Sequence, residues 1–292
     1  MWAKGESFDI LEKILDSKAS MGEALNRKLM RDFRVYMAVG GMPQAVNAYL
    51  AGKNFEEIDR IKREIISLYM DDFRKIDKSG RIGKLYEGIP SQLSNNKTRF
   101  VISSVLNKKT TSKDLELLYE LIDSKTVIPA YNVNEPAASL SLTKDLDKFK
   151  LYLADVGLFV TMLFNDRKLK DENIYNKLLS DKLPANLGYL YENAVANMIR
   201  SSGRELYFHT WYDEVTKNLY EIDFLAPDGA KICPIEVKSS NVRTHKSIDL
   251  VCKKYSKDVS KSFLFSQKDV SKDGALELKP IYLAPLVIKS LR

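Results

Sequence analysis

Apolar residues recur every third or fourth position through the first half of the chain and every second position through much of the last third. Ile58, Ile61, Ile65, Leu68 and Tyr69 fall on one face of a helix expected over residues 55–73. Upstream, residues 7–50 read as helix interrupted at Gly40-Gly41-Met42-Pro43. Two glycines permit a turn with positive φ there, and the proline suits the first position of a second helix starting near Gln44. From residue 84 the pattern shortens. Residues 85–93, 100–106 and 112–122 are expected as helices, the last with Ser112 as its cap, and residues 126–131 as a strand. Three helices followed by a strand is the order of a winged-helix unit, an order unspecific by itself. Residues 151–159 read as a buried strand that turns at Asp155 into a helix, and residues 168–182, charged and poor in apolar side chains, as a linker or surface helix.

The last third changes period. Residues 188–200 form a helical pattern with Leu190, Ala194, Val195 and Met198 on its apolar side and Glu192 within it. Strands are expected at 206–211, 219–225 and 231–239, the last two joined across Pro227-Asp228-Gly229, then a helix at 248–255 and a strand at 262–265. The order is αβββαβ. The fold class is therefore α/β, α+β overall, with a helical, winged-helix-like amino-terminal half (1–165) and a carboxy-terminal mixed sheet (166–292).

Alternation along these strands sorts their charges. Glu221 and Asp223 share one face of the second strand while Tyr220, Ile222 and Phe224 take the other; in the third, Glu236 and Lys238 lie opposite Cys233, Ile235 and Val237. Asp223 and Glu236 stand across from each other if the connecting loop is centred between Gly229 and Ala230, and a tighter turn breaks that register unless a bulge intervenes. Two converging carboxylates beside a lysine suit a hard cation such as Mg²⁺, which takes oxygen ligands and keeps several waters. Such a metal polarises a scissile phosphate and acidifies a bound water, and the lysine orients that water or offsets developing charge. An exposed ion-paired patch on a sheet accounts for the same residues.

With Glu192 added, these positions resemble the PD-(D/E)XK nuclease superfamily. Gly188-Tyr189-Leu190-Tyr191-Glu192-Asn193, Glu221-Ile222-Asp223-Phe224 and Pro234-Ile235-Glu236-Val237-Lys238-Ser239 look like the nuclease-like carboxy-terminal domain of a family of prokaryotic AAA-type ATPases. The resemblance runs upstream through Lys150 to Leu158, Ile89-Pro90-Ser91-Gln92-Leu93 and Gly40-Gly41-Met42-Pro43, and so covers nearly the whole chain. It implies Asp223 and Glu236 as ligands of Mg²⁺, with Mn²⁺ as substitute, Lys238 as the group assisting the water, and Glu192 supporting the metal or its waters. It implies DNA as substrate. Trp2-Ala3-Lys4-Gly5-Glu6 is similar to the end of the family's ATPase core, so that core is expected outside this chain. A catalytically silent module that binds nucleic acid or protein and regulates the ATPase is the other reading, and a structural oligomerisation element a third.

Composition narrows these readings only a little. The net charge of +7 suits a nucleic-acid partner, although the lysines are interleaved with acids along nearly the whole chain. No G-x-x-x-x-G-K-[ST] phosphate loop is present, so no ATP site is expected; Gly80-Arg81-Ile82-Gly83-Lys84 is too short. Asp114, Glu116, Glu120 and Asp123 make the helix at 112–122 too acidic for a DNA groove. No apolar run is long enough to span a membrane, and Cys233 and Cys252 belong to no metal motif; a cytoplasmic protein is expected. His209 and His245 suit a general base or an ordinary structural role, and Trp211, Tyr207 and Tyr212 suit base stacking or core packing.

Overall fold

In the computed structural model the described residues are 9–17, 19–95, 97–136, 139–164, 172–180, 188–239 and 244–292. The Trp2 to Glu6 stretch and parts of the expected linker at 168–182 lie outside them. In chain order the helices α1 (Asp9–Ser17), α2 (Glu23–Val39), α3 (Pro43–Leu50), α4 (Phe55–Ile76), α5 (Arg81–Glu87), α6 (Ile89–Ser94), α7 (Ile102–Leu106) and α8 (Ser112–Asp123) lead to strand β1 (Val127–Val133). Strand β2 (Lys144–Leu153) and helices α9 (Val156–Leu163), α10 (Glu172–Leu179) and α11 (Gly188–Ser201) follow. Then come β3 (Leu206–Asp213), β4 (Asn218–Asp228), β5 (Lys231–Val237), α12 (Lys246–Lys254), β6 (Ser262–Ser266), β7 (Ser271–Asp273), β8 (Leu276–Pro280) and α13 (Ala284–Ser290). The class is mixed α/β, with an amino-terminal helical region and a carboxy-terminal mixed sheet, as the pattern predicts. Among the described residues no helix is long and apolar enough to cross a membrane.

The chain divides into two compact units that are not consecutive in sequence: residues 1–32, 130–149 and 185–292 form one, and 33–129 with 150–184 the other.

The second of these is helical and is held by buried polar contacts at helix ends. Asn54 and Glu57 close a reciprocal capping box at the start of α4, and Ile58, Lys62, Ile65 and Phe73 are its buried positions. The Gly40-Gly41 turn ends α2, with Gly40 at φ +82°, and Pro43 opens α3 as expected. Asp155 caps α9 by accepting from the Leu158 amide at 2.8 Å, and it also accepts from the Gly41 amide at 2.6 Å. Gly157 permits that approach, because a Cβ there would stand 2.5 Å from the Val39 carbonyl oxygen and 2.6 Å from the Gly40 Cα. The Lys62 ammonium, fully buried, donates to the Ala38 carbonyl at 2.6 Å, the Gly157 carbonyl at 3.3 Å and the Tyr175 hydroxyl at 3.0 Å. Two expectations need correction. The cap of α8 is Thr111, extended at φ −113° and accepting from the Asp114 amide, so Ser112 is already inside the helix. The single helix expected at 85–93 is two, broken at Gly88, where a Cβ would meet Val105 at 2.6 Å.

The other unit is built on the sheet, whose strand order is β2-β1-β3-β4-β5-β6-β8-β7. The expected αβββαβ order is present as α11, β3, β4, β5, α12 and β6, and β7, β8 and α13 extend it. Strand β1, expected as the close of a helical unit, pairs in parallel with β3 through Ala130 to Leu206, Tyr131 to Tyr207 and Asn132 to Phe208. Its residues are almost all buried, as in a strand covered on both faces. Ile222, Leu225, Ile232, Ile248, Val251 and Leu264 belong to one apolar cluster, which joins the sheet to α12.

Candidate functional site

Strands β4 and β5 form a hairpin whose ladder pairs Asp228 with Lys231, Pro227 with Ile232, Ala226 with Cys233, Leu225 with Pro234 and Phe224 with Ile235. The turn is thus centred between Gly229 and Ala230, and Gly229 supplies the positive φ, +63°, that it requires. One further step along this register sets Asp223 opposite Glu236. The ladder stops short of that step, and instead an Asp223 carboxylate oxygen accepts from the Val237 amide at 2.7 Å. On the other side β4 carries an extra residue: Tyr207 pairs with Leu225 but His209 pairs with Ile222. This bulge interrupts the strict alternation expected through Asp223 and turns its carboxylate toward β5.

Glu236 is only 4% exposed. One of its oxygens takes the Lys238 ammonium at 2.6 Å, whereas the other, Oε2, is buried with no hydrogen-bond partner. Burial first, then the Asp223 and Glu192 carboxylates, push the Glu236 carboxyl up to about 8, against the lowering effect of Lys238. For Lys238, burial works to lower the pKa, but Glu236, Asp223 and Glu192 outweigh it and hold the ammonium above the ordinary lysine value. Glu192, in the second turn of α11, therefore acts electrostatically on both. The fold brings Glu192, Asp223, Glu236 and Lys238 together.

Three contributors had no readable signal. The Val237 amide is a main-chain group. Gln267, just past β6, donates from its side chain to the Ser239 carbonyl at 2.5 Å, and the Lys238 amide donates to the Phe265 carbonyl at 2.9 Å. Together they fix the end of β5 that carries the lysine. Of the other residues singled out, His209 is buried and donates from Nδ1 to the Val133 carbonyl at 2.7 Å, with its pKa lowered chiefly by burial. His245 lies between Asp249, at 2.8 Å, and Asp273, at 3.2 Å. Both Cys233 and Cys252 are free thiols.

The donor chemistry suits a hard divalent cation: two carboxylates, one with an unpartnered oxygen, in a setting rich in negative charge. Asp223 and Glu236 are the residues that would hold it. Among the described residues no cluster of three or more His, Cys, Asp or Glu side chains is placed to bind a metal.

Comparison with family models matches residues 30–169 to a domain of unknown function (DUF8612) and residues 187–282 to a second domain of unknown function (DUF4143). The latter is a domain found at the carboxy terminus of AAA-ATPase-like proteins. No curated protein and no solved structure matches the chain.

Proposed function

We propose that residues 188–292 act as a nuclease-like, divalent-cation-dependent phosphodiesterase module on DNA within an AAA-ATPase-like protein. The observation that carries this reading is the buried Glu236, with one oxygen on Lys238, the other unpartnered, and Asp223 brought beside it by a β-bulge. Mg²⁺, or Mn²⁺ in its place, would polarise the scissile phosphate and acidify an attacking water. Lys238 would position that water and balance charge developing on the phosphate, and Glu192 would support the metal or its waters. The helical region preceding this module takes no part in this reading. Its α8 is acidic on the outside, so DNA contact is assigned to the carboxy-terminal module.

A second reading, a catalytically silent module that binds nucleic acid or protein and regulates the ATPase, is supported by the short Glu236 to Lys238 ion pair, which already occupies one ligand oxygen. The two separate in one assay. Magnesium-dependent cleavage of supercoiled plasmid and of single-stranded DNA is expected, and Asp223→Ala and Lys238→Ala should each lower it about 100-fold or more. Cleavage undiminished in both variants would sink the site assignment, and DNA binding without any cleavage would favour the silent module.

A further inference from the structure

The sheet carries, beside the acidic pair, a row of aromatic rings ended by lysines. His209 stacks on Trp211 with ring centroids 5.3 Å apart and planes 10° apart, and Trp211 stacks on Tyr220 at 5.6 Å and 27°. The far end of the row is covered by the Lys246 ammonium, 5.3 Å from the Tyr220 ring. Tyr255 meets His209 edge-on at 5.8 Å and has the Lys254 ammonium over its own ring at 5.0 Å. Both lysines are exposed, and among the described residues neither is held in a close ion pair, although Lys246 acts electrostatically on the Asp213 carboxylate and on the Tyr220 phenol. Asp213 also accepts from the Val215 amide and the Thr216 hydroxyl, and Asp249 is bonded to His245.

The row and the acidic pair lie on one face of the sheet. Leu264, the register partner of Glu236, belongs to the apolar cluster that contains Ile222, and Trp211 and Tyr255 pack against that same cluster. Tyr220 precedes Asp223 by three residues on β4, a span of about 10 Å along an extended strand.

We propose that this row is a docking surface for single-stranded nucleic acid, with a base taking the place of Lys246 on Tyr220 and the displaced lysine, with Lys254, meeting phosphates. The end ring, Tyr220, beside which Lys246 stands, suits an unpaired base, which every stacking platform accepts regardless of sequence, and the two exposed lysines suit the backbone. A base-paired duplex offers no free base faces to such a row. The surface rests on the reading of a nucleic-acid partner and is independent of whether the phosphodiester is cut. It sets a strand bound on Tyr220 about 10 Å from the carboxylates, within two nucleotides along the strand.

Fluorescence anisotropy of a labelled 20-residue oligothymidylate, titrated with the full chain in EDTA, tests this without cleavage. Tyr220→Ala should weaken binding about ten-fold or more while Tyr220→Phe leaves it unchanged. Replacing Lys246 and Lys254 together with alanine should flatten the salt dependence by about 1.4 in log K against log salt. In a Trp2→Phe background, Trp211 fluorescence should change on binding. A duplex of equal length should bind more weakly. Absence of oligothymidylate binding by the wild type overturns the proposal, as does affinity unchanged in both the Tyr220→Ala and the double-lysine variants. Binding lost in those two variants with no magnesium-dependent cleavage by the wild type would leave the docking surface standing and overturn the nuclease reading, whereas binding unchanged in them with cleavage by the wild type would do the reverse.

Discussion

Lys62 gives the sharpest energetic test of how the helical unit is held together. Its ammonium is fully buried on two main-chain carbonyls and a phenol, and the Asp59 carboxylate stands 4.0 Å away. Burial lowers its pKa from 10.5 to about 8, opposed by Asp59 and Asp155 and assisted by Arg63. A lysine with a depressed folded pKa costs stability while it must stay charged, and the cost is relieved as pH rises from the folded toward the unfolded value. Between pH 8 and 10.5 the unfolded chain binds more protons than the folded one, so stability rises with pH in that window. At pH 7 the cost is about 3 kcal/mol, and by about pH 9.5 roughly 2 kcal/mol of it is gone. Lys62→Met removes the cation at all pH values but leaves the Ala38 and Gly157 carbonyls and the Tyr175 hydroxyl without this donor, a loss of about 1–3 kcal/mol per group left unsatisfied. The variant should therefore be at best level with wild type at pH 7, since about 3–9 kcal/mol is lost against about 3 kcal/mol regained, and its deficit should be about 2 kcal/mol larger at pH 9.5. Urea unfolding followed by far-ultraviolet circular dichroism at both pH values measures the gap. If the gap stays constant, or narrows as pH rises, the ammonium is held by its carboxylates instead of being penalised by burial.

Glu236 has the opposite sign: its carboxyl is raised from 4.5 to about 8, so the folded state binds the extra proton and stability falls as pH rises through that window. Glu236→Gln should remove the fall, melting a few degrees above wild type at pH 8 and level with it at pH 5, while magnesium at ten times its Kd should stabilise the wild type by about 1.4 kcal/mol and the variant not at all. Gly157→Ala forces a methyl onto the Val39 carbonyl and the Gly40 Cα, backbone atoms that cannot swing aside, and should lower Tm by about 5–10 °C in a thermal scan, compared with little change for Gly188→Ala, where a Cβ meets nothing within 4 Å and no positive φ is needed.

Local chemistry explains how much was readable in advance. Helices α4 and α11 show a strong apolar period, and β4, β5 and their turn show alternation with a glycine at the point that needs positive φ, so their positions follow from short-range rules. The register of Asp223 against Glu236 follows from the same turn. What short-range rules do not contain is pairing at a distance. Strand β1 lies 73 residues or more before its partner β3, and nothing in Val127–Val133 says which edge it will join. The bulge in β4 is equally silent, since neither Asp223 nor Phe224 is a glycine or a proline to mark it. Thr111 and Ser112 are adjacent hydroxyl residues, either able to cap, and the choice falls to the one whose backbone is extended and whose third neighbour, Asp114, can return the bond.

Asp114 also shows why Glu236 is to be separated from ordinary buried acids. Both are among the most enclosed carboxylates of the chain. Asp114 uses both oxygens: one accepts from Arg81 and Lys108, each at 2.9 Å, and the other from the Thr111 amide and hydroxyl. The Thr111 hydroxyl first, then Lys108, hold its carboxyl well below the usual range, so its charge is settled by the fold. At Glu236 the sequence Glu-Val-Lys supplies one cation for one oxygen, and burial, Asp223 and Glu192 drive the carboxyl the other way. An acid kept only for folding would be exchanged for an apolar residue of similar size at no loss, because a half-satisfied buried carboxylate is worse than none. A half-satisfied buried acid beside a second carboxylate is the arrangement that the proposed cation would complete.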